Sequence, residues 1–172
     1  MLPEHSQPKS KSPRPKDSGA AVIVRILSQR KQTMALAESC TGGFIANQIT
    51  NVPGASKIFM GGIVAYSNYA KKKFLKVRDG TLKLHGAVSR EVAAEMADGA
   101  RKQFGTDYAV AVTGIAGPTG GTKLKPTGTV FIAAAGRFGS IVQRKSNPYG
   151  RKKFKEITAR QAIELLKRQL SA

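Results

Sequence analysis

Hydrophobic positions in the chain recur with two periods, one helical and one extended. In SGAAVIVRILSQR (18–30), Ile23, Ile26, Leu27 and Arg30 fall near one helical face, with Ser18 or Asp17 as N-cap. MALAE (34–38) is a short apolar run and reads as a buried strand. TGGFIANQITNV (41–52) predicts a helix that stops before Pro53-Gly54. FMGGIVAYS (59–67) predicts a strand whose glycine pair suits a bulge or a close backbone approach. NYAKKKFLKV (68–77) reads as helix, and Leu82 to Val88 as connection. Ser89 caps a helix over 90–105: Val92, Met96, Ala100 and Phe104 line one face, Glu91 suits its positive end, and Gly105 stops it. DYAVAVTGI (107–115) predicts a buried strand, followed by a loop over 116–128. TVFIAAA (129–135) and SIVQRKS (140–146) predict a hairpin turning at 136–139, and an apolar stripe predicts a last helix from Arg151 to Leu170.

Helices before, between and after about five strands predict an α/β fold: a layered α/β/α sandwich with a mixed central sheet. The length of 172 residues suits a single domain, placed at 18–172. The first 17 residues, MLPEHSQPKSKSPRPKD, hold almost nothing to bury and predict a disordered basic tail. They contain no apolar stretch of a secretory signal, and no run in the chain is long enough to span a bilayer, so no membrane association is expected. Cys40 is the one cysteine, which excludes an intramolecular disulfide and fits a reducing cytoplasm.

The net charge of +19 changes the picture, because such a chain attracts nucleic acid, anionic membrane or phosphorylated small molecules. The charge is spread over the tail, KKKFLKVR (71–78) and RKSNPYGRKKFK (144–155). It fits solvated lysines and a tail making non-specific nucleic-acid contact. No aromatic-interleaved RNA motif, zinc finger or recognition helix accompanies it.

Three loops carry candidate chemistry. In ESCTGG (38–43) a strand enters a helix through glycine, which exposes backbone amides at the helix's positive end beside Ser39 and Thr41. Such a turn binds phosphate or holds an oxyanion beside a serine nucleophile; the same pattern also fits Ser39 or Thr41 as a simple cap. In TGIAGPTGGT (113–122) glycines let backbone amides approach an anion, or merely serve the turns of a surface loop. No GK[ST] comes after it, so this is not a Walker loop. In AYSNYAKKK (65–73), Tyr66, Ser67 and Asn68 stand at a strand end with Lys71 one turn beyond. A buried lysine near other cations can lose its proton and serve as base to a serine; the pattern of any one lysine fits a solvated side chain better, with Tyr66 closing the core. His85 is the one histidine outside the tail, which disfavours a serine–histidine triad and a zinc site. Cys40 offers a second nucleophile, or a small buried side chain.

Six segments in register resemble the CinA C-terminal domain family, also found as a stand-alone nicotinamide mononucleotide deamidase: AESCTGG (37–43), VPGAS (52–56), GGIVAYSN (61–68), HGAVS (85–89), AVTGIAGPTGGT (111–122) and KPTGTV (125–130). The resemblance runs from about Val22 to Leu170. It implies hydrolysis of nicotinamide mononucleotide to nicotinic acid mononucleotide and ammonia, a layered α/β fold, homo-oligomers and no metal or redox cofactor. Carried over, Ser39 matches the serine nucleophile, and Tyr66 and Lys71 the tyrosine and lysine associated with it. Thr41, Gly42, Gly43 and Asn68 are the expected substrate contacts near the nucleophile. Thr113, Gly114, Gly117, Gly120, Gly121, Thr122 and Arg151 are those expected around the phosphorylated part of the substrate.

The chain departs from the family where relatives usually have Glu at Tyr69, Glu at Leu124, and acids followed by a second arginine across YGRKKFK, which ends in Lys155. These changes remove acid and add base, so the alternatives are altered specificity, or an inactive homologue whose basic surface binds nucleic acid. Longer relatives carry a separate N-terminal enzyme domain, for which the short tail leaves no room.

Overall fold

The computed structural model describes residues 18–171. The expected basic tail over 1–17, and Asp17 as a cap, lie outside the described residues. Ser18 takes the capping role, its hydroxyl accepting the Ala21 amide at 3.1 Å.

The elements run in the order α1 (Gly19–Arg30), β1 (Met34–Glu38), α2 (Phe44–Thr50), β2 (Phe59–Val64), α3 (Asn68–Leu75), α4 (Asp79–His85), α5 (Arg90–Phe104), β3 (Tyr108–Gly114), β4 (Thr129–Gly136), β5 (Gly139–Ser146) and α6 (Arg151–Ser171). The sheet order is β2-β1-β3-β4-β5. β1 pairs in parallel with β2 and β3, and the other two pairings are antiparallel. The sheet is therefore mixed, as the alternation of elements predicts.

Helices cover both faces. Ile23 and Leu27 of α1, Ile45 and Ile49 of α2, and Phe154, Leu165 and Leu166 of α6 pack with Val110, Val112 and Ile132 on one side. Each such side chain, fully buried, contributes about 1.5–3 kcal/mol. The other side is mostly alanine: Ala35, Ala37, Ala109, Ala111, Ala133 and Ala135. Small side chains there let α5 lie close against the sheet. Gly61 serves the same close approach, since a Cβ on it would stand 2.5 Å from a ring carbon of Phe104. Pairing passes from Met34↔Phe59 to Ala35↔Gly61, so Met60 is bulged out, in line with the reading of the glycine pair.

Several boundaries differ from the sequence reading. α2 starts at Phe44 rather than Thr41, because Gly42 and Gly43 turn through positive φ. β2 ends at Val64, and Ser67 caps α3 by accepting the Ala70 amide. α3 ends at Leu75, where Lys76 turns left-handed. The stretch 82–88, read as connection, is helical up to His85 as part of α4. At seven residues with an internal glycine, that helix is too short to print a period. No helix among the described residues is long and apolar enough to cross a membrane.

β1 sits between β2 and β3, so the chain leaves its carboxyl end toward β2 by way of α2 on one face. It then returns to β3 by way of α3, α4 and α5 on the other. A crevice opens where parallel strands diverge in this way, and ligands bind there in open α/β sheets. All three candidate loops emerge at that edge: ESCTGG after β1, AYSN after β2 and the glycine-rich loop after β3.

Candidate active site

Ser39 comes directly after β1. Its amide donates to the Val112 carbonyl of β3 at 3.0 Å, while the Ala65 amide donates to the Glu38 carbonyl at 2.8 Å. These two bonds fix the turn after β1 between its neighbouring strand ends. The Glu38 carboxylate, 2% exposed, organises the turn and the first residues of α2. It accepts the Thr41 hydroxyl at 2.6 Å and the amides of Gly43, Ile45 and Ala46 at 3.0, 3.1 and 2.8 Å. Gly43, the N-cap of α2, has no side chain to do this, so the strand's last residue caps the helix from behind.

That arrangement redirects the expected roles of the turn. The Gly43 amide is committed to Glu38, and the Gly42 amide to the Ser39 carbonyl at 3.2 Å. The Thr41 side chain is buried against Glu38. The structure brings none of these three into the lining of the cleft. Of the turn's residues after Ser39, Cys40 alone lines the cleft. Sequence reasoning quoted Glu38 within its motif without giving it a role. Its signal was an acid at a strand end, three to eight residues ahead of the groups it now accepts.

Lys71 reaches the same point from α3. Only 2% exposed, its Nζ lies 3.0 Å from Ser39 Oγ and donates to the Ala65 carbonyl at 2.8 Å and the Tyr66 carbonyl at 3.4 Å. Among the described residues no carboxylate forms an ion pair with it. Burial lowers its pKa below the ordinary 10.5, and Cys40 pulls weakly the other way. Sequence reasoning invoked nearby cations as well as burial; burial is the cause found. Once neutral, the amine has two hydrogens for the two carbonyls and a lone pair for the Ser39 hydroxyl, which is the disposition of a base.

Tyr66 is 60% exposed at the rim. Its phenol oxygen accepts from Arg151 at 2.8 Å, and Arg151 also donates to the Gly117 carbonyl at 3.0 Å. Arg151 thus ties the start of α6 to the exit of β2 and to the glycine-rich loop. The phenol makes no hydrogen bond to Ser39 or Lys71 among the described residues, so the direct contact runs between lysine and serine.

A cleft of about 350 Å³ is lined by Ser39, Tyr66, Asn68, Lys71, Thr113, Gly114, Gly117, Gly120 and Arg151, with Cys40 at its base. Its size suits a small molecule. The Thr113 hydroxyl is turned away, donating to the Ala87 carbonyl at 2.8 Å. Gly121 and Thr122 lie outside the cleft. Gly121 packs against Thr127, and Thr122 closes a turn with Lys125. Ala87 and Val88 supply a wall that sequence reasoning missed, brought there by a connection with no polar signal of its own. Cys40 is buried, which pushes its thiol pKa up to about 12, so the thiolate is scarce at neutral pH. Among the described residues no three His, Cys, Asp or Glu side chains gather as metal ligands.

The model of the CinA C-terminal domain matches residues 16–170. This chain belongs to the CinA C-terminal domain family. A CinA-like protein of Parasynechococcus marenigrum is 45% identical over 158 residues, covering 91% of this chain and 38% of the relative. One from Thermotoga maritima is 59% identical over 111 residues, covering 64% of this chain and 27% of the relative. The chain thus spans about a quarter to two fifths of the length of the curated relatives it matches. Among solved structures, the competence/damage inducible protein CihA from Agrobacterium tumefaciens superposes with a TM-score of 0.83 at 39% identity, covering 90% of this chain and 94% of that one. The competence damage-inducible protein A (ComA) from Klebsiella pneumoniae gives 0.86 at 33% identity, covering 89% and 95%. The CinA fold and its α/β layering therefore extend over nearly all the described residues.

Proposed function

We propose that this domain is an amidohydrolase that converts nicotinamide mononucleotide and water to nicotinic acid mononucleotide and ammonia, a step of pyridine nucleotide salvage. The observation that carries the reading is the buried Lys71 amine 3.0 Å from the Ser39 hydroxyl, with no carboxylate paired to it among the described residues.

An amide resists hydrolysis because its carbonyl is weakly electrophilic and its nitrogen leaves badly. In the proposed reaction Lys71 takes the Ser39 proton as the serine oxygen attacks the carboxamide carbon. The Cys40 amide, the one of the turn that lines the cleft beside Ser39, stabilises the tetrahedral oxyanion; losing one such donor typically costs about 10²–10³ in rate. Lys71 returns the proton to the nitrogen, the carbon–nitrogen bond breaks, and ammonia leaves an ester on Ser39. Water then attacks the ester, passing a proton to Lys71. The collapse releases the carboxylic acid and reprotonates Ser39. Arg151 uses two of its donors on Gly117 and Tyr66 and has others for the 5′-phosphate, beside the amides of the glycine-rich loop. The Tyr66 hydroxyl, accepting from Arg151, keeps its own hydrogen for the substrate.

Altered specificity within the same chemistry is the second reading. Lys155 brings its ammonium within 3.6 Å of the Cβ position at Gly42, placing a cation behind the nucleophile turn. Ammonia release from nicotinamide mononucleotide and from a panel of other carboxamides separates the two. Ser39→Ala is expected to abolish release from whichever substrate is turned over; a variant keeping most of its rate would remove the serine from the reaction.

A further inference from the structure

A groove between β5 and α6 faces away from the active-site cleft and carries charge that the proposed reaction does not use. Its two sides run alongside each other. At the upper end Lys145 of β5 faces Arg160 and Arg168 of α6 across a cavity of about 320 Å³. At the lower end the β4–β5 turn, with Arg137 and Phe138, meets the last turn of α6 and Arg30 around a cavity of about 510 Å³. The α6 side from Arg160 to Leu170 is about 15 Å long at 1.5 Å per residue. That length matches about four stacked nucleotides at 3.4 Å each. The lower end adjoins Tyr108, where β3 begins, whereas the cleft lies where β3 ends. The two sites are therefore separate.

Apart from Arg30, which donates to the Leu170 carbonyl at 2.7 Å, the cations of this groove are unpaired. Arg137, Arg160 and Arg168 are exposed and Lys145 half-buried, and none of the four forms an ion pair or hydrogen bond among the described residues. The acid in the lining, Glu164, is held by Lys167 at 3.1 Å. Phe138 is 97% exposed, with the Arg137 guanidinium 5.9 Å from its ring centre. An aromatic ring in that position forgoes nearly all apolar burial within the fold. Free cations along two neighbouring cavities, the lower one bearing a bare aromatic ring, match the phosphates and one base of a flexible polynucleotide. A membrane would demand a broad apolar face, whereas the exposed apolar side chains here are Phe138 and Ile141, set among cations. An acidic peptide would satisfy the cations and leave the ring unused.

We infer that the β5–α6 groove binds single-stranded nucleic acid, with Lys145, Arg160 and Arg168 on its phosphates and Phe138 stacked on a base. Recognition rests on phosphate and π-face, so DNA and RNA are bound alike. The inference is independent of the amidohydrolase reading.

Fluorescence anisotropy on the full chain tests it, with labelled oligothymidylate and oligouridylate of about 12 nucleotides over about 50–200 mM salt. Arg160→Glu combined with Arg168→Glu is expected to weaken both ligands at least about tenfold and to flatten the log–log salt slope by about 1.4, from 0.7 per phosphate contact. Phe138→Ala, at an exposed turn where folding is not at stake, is expected to weaken binding by about tenfold. These losses should persist when Lys9, Lys11, Arg14 and Lys16 of the N-terminal stretch are changed to glutamine. Unchanged thermal melting and ammonia release control for the fold. The inference is overturned if the double variant binds within twofold of the parent, or if the losses vanish once the N-terminal cations are neutralised. It is equally overturned if polyglutamate displaces the oligonucleotide at equal charge and Phe138→Ala is silent.

Discussion

Two neighbouring residues with nucleophilic atoms meet opposite fates at the end of β1. Ser39 faces a buried amine at 3.0 Å, while Cys40 is buried with a thiol pushed up to about 12. The intrinsically better nucleophile is thereby kept protonated, and the weaker one faces the amine that the proposed reaction uses as base. Cys40→Ala is accordingly expected to keep ammonia release within several-fold of the parent; a hundredfold loss would transfer the chemistry to the thiol. Much of this was legible from residue types. The turn ESCTGG offers Ser39 as nucleophile or cap, and the resemblance to the family is what selects Ser39 and, among three lysines, Lys71; helical phase agrees with that selection. Lys71 and Leu75 are four apart and both buried, whereas Lys72 reaches Asp79 at the surface. The Glu38 interactions were not legible, because a carboxylate accepting groups three to eight residues ahead depends on how tightly the glycine turn closes.

At the scale of elements, the position of Lys71 depends on how α3 packs against α5. Gly99 of α5 makes that packing possible: a Cβ there would overlap the Leu75 carbonyl at the end of α3. Gly99→Ala should push α3 outward, carrying Lys71 away from Ser39. The expected cost is about 2–3 kcal/mol, read as a melting temperature lower by roughly 5–10 °C, with a larger proportional loss of activity. A variant that melts and turns over like the parent would show that the helix pair has slack. The strong helices and buried strands were readable because their periods are long enough to repeat. The seven-residue α4 was not, and the short α2 was drawn too long because its cap comes from a residue outside it. An alternation of large residues with alanine is visible in β3, as YAVAV shows. That it seats α5 against the alanine face became clear only in three dimensions.

Over the whole molecule, a net charge of +19 opposes compactness, and the ion pairs among the described residues are, Arg78–Glu95 apart, surface pairs of small individual worth. Salt screens the repulsion between many like charges more than it weakens a few exposed pairs. The melting temperature should therefore rise by several degrees between about 50 and 500 mM sodium chloride, and a fall would mean that ion pairs dominate. Sequence order alone does not reveal that β1 lies between β2 and β3, yet this gathers the three loops at one edge. The central claim is that neutral Lys71 activates Ser39, and the pH dependence of kcat/KM tests it most directly. Burial holds the Lys71 pKa below 10.5, so the neutral amine accumulates, and the rate should climb, as pH rises through an inflection below that value. Lys71→Arg, which keeps the charge but cannot deprotonate, should show no such rise and little activity. A parent rate flat across that range, or an arginine variant that retains the parent's profile, would contradict the account.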